Sequence, residues 1–156
     1  MEEEPGISTN GLLLRSFLLV AGAYVVNVVG ICVAATVLAA TVFPKTMLVF
    51  DEPDKFKAAF EADPSAIFPP ELMWILLAVS VVLSFVLGYL VARLAPIGKF
   101  PHALFFAMIM FVQFLQLAIG NTTSLQTILI LFMALSPIAA LLGAKMYLKS
   151  EEPQLE

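Results

Sequence analysis

The side chains able to do chemistry are few and far apart. His102 is the lone histidine and Cys32 the lone cysteine. An imidazole needs a neighbouring carboxylate, thiol or second imidazole to act as a general base or to build a metal site. None lies near His102, which reads as an ordinary residue at the membrane boundary. One cysteine forms no intrachain disulfide and supplies too few ligands for zinc or CxxC chemistry. The other polar groups set within apolar surroundings are the amides of Asn27, Gln113 and Gln116. In lipid an uncharged amide either bonds another helix or lines a small polar pocket or narrow water path. Bonding between helices is the expected use. No catalytic residue, cofactor or metal is expected.

The elements that position these groups are long apolar runs. Of the 156 residues, 61% are hydrophobic and 13% charged, against about 45–50% and about 25% in soluble domains. The excess falls in runs of membrane-spanning length at about 12–43, 72–94, 101–120 and 125–147, which predicts an all-α integral membrane bundle of four antiparallel transmembrane helices within residues 12–148. Residues 1–11 form an acidic tail and residues 149–156 a polar one. The acidic start and the length of the first run argue for an uncleaved span over a signal peptide. From Ser16 to Phe43 that run is 28 residues, about 42 Å of helix against a hydrocarbon core of about 30 Å. It must tilt or project, and Pro44 is its expected stop.

Residues 44–70 are broken by Pro44, Pro53, Pro64, Pro69 and Pro70. Within them Asp51-Glu-Pro-Asp54 resembles a helix start, and Phe56 and Phe60 share one face, predicting a short helix on the membrane surface. Trp74 and Tyr89 stand near opposite ends of the second span, as interfacial anchors do. Ser136-Pro137 marks an expected kink in the fourth.

Ser80, Ser84, Gly88 and Ala92 recur at every fourth residue and make one ridge of small side chains. Helices in lipid associate by close backbone approach over such ridges. The ridge is expected to pack against another helix of this chain, or against a second copy or another membrane protein. The bilayer is the other partner. No basic cluster points to nucleic acid.

Orientation follows from lysine and arginine. With four spans, both tails and the connection Arg93-Leu-Ala-Pro-Ile-Gly-Lys99 share a side. That side carries Arg15, Arg93, Lys99, Lys145 and Lys149, five of the eight bases. The other carries Lys45, Lys55 and Lys57 in the long acidic loop. Both termini, and with them Arg93, Lys99 and His102, are expected on the cytoplasmic side. Asn121-Thr-Thr123 matches a glycosylation acceptor on the opposite side but lies hard against the membrane.

Gly88-Tyr-Leu-Val-Ala-Arg93, then His102-Ala103, and Pro137 with Leu142-Gly143 resemble a pattern in many small four-span bacterial membrane proteins with no established activity. The resemblance covers the C-terminal half, implies an inner (plasma) membrane setting and carries over no catalytic residue. Small multidrug-resistance transporters depend on an acid in their first helix; the corresponding middle here offers Asn27. The expected function is that of a non-enzymatic multi-pass accessory, scaffold or assembly partner. The alternative, a small transporter or channel component acting as an oligomer, draws on the three amides and Pro137.

Overall fold

The structure is a computed structural model and describes residues 9–42, 54, 57–58, 69–120 and 126–151. Four helices account for nearly all of them: α1 Thr9–Thr41, α2 Pro70–Leu94, α3 Lys99–Gly120 and α4 Gln126–Glu151. They contain 33, 25, 22 and 26 residues, and each is long and apolar enough to cross a membrane. The chain is a multi-pass membrane protein with an all-α four-helix architecture. Of the expected surface helix, Asp54, Lys57 and Ala58 are helical, while Phe56 and Phe60, like the Asn121 acceptor sequence and the outer parts of both tails, lie outside the described residues.

The helix ends follow local chemistry. α1 stops at Thr41, three residues short of Pro44, with one further turn bond from the Val42 amide to the Leu38 carbonyl at 2.8 Å. Pro69 and Pro70 open α2, where proline's missing N–H costs nothing because first-turn amides have no helical acceptor. Pro101 sits in the first turn of α3 for the same reason. The α2–α3 connection is only Ala95–Gly98. Gly98 takes a φ of +59°, a left-handed conformation open to glycine at little cost. α4 runs as one helix through Pro137 and continues a turn past Tyr147 to Glu151.

α2 and α4 form the closest pair, and α3 packs next most extensively on α4. α1 lies against α2 and, to a lesser extent, α3, and is the least enclosed of the four. Small residues set the α2–α4 distance. A Cβ on Gly88 would fall 2.0 Å from the Ala140 carbonyl oxygen, and one on Gly143 would fall 2.0 Å from the Phe85 carbonyl oxygen. Each helix thus presents a glycine to the other's backbone, an approach that any larger residue would block. Along the bundle interior lie the fully buried Leu72, Val91, Phe106 and Met110, with Phe114 of α3 tilted on Phe132 of α4 at 5.3 Å between ring centroids. The outward faces carry valine, leucine and phenylalanine, as a surface solvated by lipid requires.

Candidate functional site: a buried polar layer and a basic end

The ridge on α2 places two hydroxyls at the centre of the bundle. Ser80, Ser84 and Ala92 are 0% exposed, and Gly88 is buried with them. Ser84 donates its hydroxyl hydrogen to the Ser80 carbonyl at 2.6 Å. A serine has only that one proton, so its oxygen can meet Asn27 only as an acceptor. Asn27, 1% exposed on α1, accordingly turns its amide NH₂ toward Ser84 Oγ at 3.3 Å. One turn away on the same face of α2, Ser80 Oγ and Ser136 Oγ of α4 share a hydrogen bond at 3.0 Å. Asn27, Ser84, Ser80 and Ser136 therefore join α1, α2 and α4 in one polar layer. Interhelical bonds of this kind contribute about 0.6–2 kcal/mol each.

The ridge thus serves two neighbours. Ser80 and Gly88 contact α4, and Ser84, between them on the ridge, accepts from Asn27 of α1. Ser136 directly precedes Pro137, whose ring nitrogen cannot donate to the Met133 carbonyl one turn earlier.

The two glutamines stand apart from this layer. Gln113 is half-buried and Gln116 exposed on α3, and neither bonds a described residue. The structure does not bring them to Asn27, so no pocket shared by the three amides forms among the described residues. Ser136 takes the place they were expected to share. Its partnership with Ser80 depends on how α2 and α4 cross, and the sequence marked Ser136 only as the residue before a proline.

At the basic end, Lys99 of α3 pairs with the Glu151 carboxylate of α4. Its ammonium also lies 3.5 Å from the Tyr147 hydroxyl and 5.1 Å from the centre of the Tyr147 ring. Tyr147 donates to the other Glu151 oxygen at 2.5 Å and meets the Tyr89 ring edge-on at 5.3 Å. This cluster holds the last turn of α4 to the start of α3. Its signal was the spacing of Tyr147 and Glu151 by four residues, which puts them on one helix face. His102 is tied locally, with Nδ1 2.9 Å from the Gly98 carbonyl oxygen. Arg93 is exposed in the last turn of α2, where a cation suits the helix dipole.

An apolar groove of about 300 Å³ between α1 and α3 is lined by Ser16, Phe17, Val20, Pro101, His102 and Phe105. Two more follow the seam between α1 and α2. Cys32 is exposed on α1. Among the described residues no three His, Cys, Asp or Glu side chains converge as a metal site. What the arrangement can do is bind helices to one another at mid-depth and fasten two helix ends at the basic end. No protein-family model matches the chain, and comparison with curated proteins and with solved structures gives no match either.

Proposed function

We propose that the chain is a non-enzymatic accessory or assembly partner of the bacterial inner membrane, with both termini on the cytoplasmic side. One observation carries this reading: the buried polar groups are engaged in joining helices. Asn27 meets Ser84, and Ser80 meets Ser136, so the interior chemistry goes into a fixed scaffold. The peripheral placement of α1 supports the same reading, because a helix held on one side offers its other side to lipid or to another membrane protein. The orientation rests on Arg15, Arg93, Lys99, Lys145 and Lys149 at one end of the bundle.

The experiment is a quantitative comparison of the membrane proteome in cells with and without the chain. An assembly partner predicts that one or a few other membrane proteins fall in abundance and recover on re-expression. An unchanged membrane proteome, together with an altered rate of solute uptake or export, would contradict it.

A second reading, a transporter component built from several copies, draws on Gln116. It is an exposed amide flanked by apolar residues in the second half of α3, and a polar group facing hydrocarbon is costly unless a neighbour satisfies it. Reconstituted vesicles separate the two. Solute flux abolished by Gln113→Ala with Gln116→Ala favours the second reading.

A further inference from the structure

We propose that the seam between α1 and α2 at the basic end binds one anionic phospholipid, its phosphate held by Arg15 and Arg93 and an acyl chain laid over Gly22. The seam contains a groove of about 240 Å³ between Leu18, Gly22 and Ala23 of α1 and Leu90, Val91 and Leu94 of α2. Gly22 opens it, since a Cβ there would meet nothing within 4 Å. That distinguishes Gly22 from Gly30, Gly88 and Gly143, each of which lies against a neighbouring helix. The walls are apolar throughout, so the groove suits hydrocarbon and offers nothing to a polar solute.

The mouth of the groove is different. Arg15 lies three residues before Leu18, on the same face of α1 and one turn nearer the basic end. Arg93, next to Leu94 in the last turn of α2, flanks the groove about 100° around the helix. Both side chains are exposed, and neither pairs with an acid among the described residues. Lys99, at the same end, already has Glu151 as its counter-ion. Two guanidinium groups at the end of a hydrocarbon slot, with no acid partner among the described residues, match a phosphate above an acyl chain, because the guanidinium fork bonds phosphate oxygens bidentately. Basic pockets between helices are where anionic headgroups are held specifically. Gly22 lies seven residues into the helix from Arg15, about 10 Å of rise, which puts the open space at acyl-chain depth. A second apolar groove, at Gly30, Val79, Leu83 and Val86, carries the seam further toward the other end.

The full-length chain, purified in detergent, is titrated with dioleoyl phosphatidylglycerol or dioleoyl phosphatidylcholine, and retained lipid is read by native mass spectrometry. One phosphatidylglycerol per chain is expected, held about tenfold or more tightly than phosphatidylcholine. Arg15→Gln with Arg93→Gln should remove that preference. Gly22→Leu should weaken retention although both arginines remain, and the open space over Gly22 lets that variant fold. Lys145→Gln with Lys149→Gln, which changes exposed charges of α4 at the same end, should leave retention unchanged. Equal retention of the two lipids would overturn the proposal. So would an undiminished Gly22→Leu, or a loss in the lysine variant as large as in the arginine variant, which would mark a diffuse attraction to basic charge.

Discussion

Gly88 of α2 sits so close to Ala140 of α4 that a single added Cβ would stand 2.0 Å from the Ala140 carbonyl oxygen. Gly143 repeats the relationship in reverse against Phe85. Backbone therefore touches backbone at two points, and the polar layer of Ser80 and Ser136 lies farther along the same seam, toward the other end. Hydrophobic burial does not drive helices together in lipid, so this contact and its hydrogen bonds carry the association.

Gly88→Ala and Gly143→Ala should each destabilise the bundle by about 1–3 kcal/mol, the usual cost of overpacking. Gly22→Ala, which meets open space, should be neutral or stabilise by about 0.5–1 kcal/mol through helix propensity. Equilibrium unfolding in mixed detergent micelles measures all three. Gly30→Ala should fall between, because the obstruction there is the flexible end of Leu83 at 2.6 Å.

Ser136→Ala should cost about 1 kcal/mol by leaving Ser80 without its partner on α4, whereas Ser80→Ala with Ser136→Ala should cost less than the sum of the single changes. The asymmetry arises because an unpaired buried hydroxyl is worse than two methyl groups in contact. The same unfolding measurement checks it; strictly additive losses would show that the 3.0 Å contact contributes nothing.

Glu151→Gln should loosen the last turn of α4 without lowering the overall unfolding midpoint. The Lys99–Glu151 pair is exposed, and exposed ion pairs contribute little to global stability. Faster hydrogen exchange confined to residues 147–151, with α2 unaffected, is the expected reading. The wild-type protection there should also weaken at high salt.

Single cysteines placed at Lys57 and Lys99, in a Cys32→Ala background, should label from opposite sides of the membrane. Labelling of both from one side contradicts the four-span topology.

The spans were legible because hydrocarbon permits little but uninterrupted helices, so length and apolarity almost suffice to place them. The spacing of Ser80, Ser84, Gly88 and Ala92 likewise showed a ridge before any partner was known. What a ridge faces is a tertiary fact. Nothing in one sequence says that Ser80 turns to Ser136 while Ser84 turns to Asn27. Glu151 read as tail because charge ends an apolar run, yet Lys99 and Tyr147 hold it in the helix. Gln113 and Gln116 looked equivalent to Asn27 by composition, and only the rotation of α3 separates them.

The most direct test of the account is a double-mutant cycle between Asn27→Ala and Ser84→Ala, with stability and vesicle flux measured on the same four proteins. If the interior amide exists to hold α1 on α2, the two residues should show a coupling of about 0.6–1.7 kcal/mol, and vesicle permeability should not change. Zero coupling, together with solute flux that depends on Asn27, would contradict it.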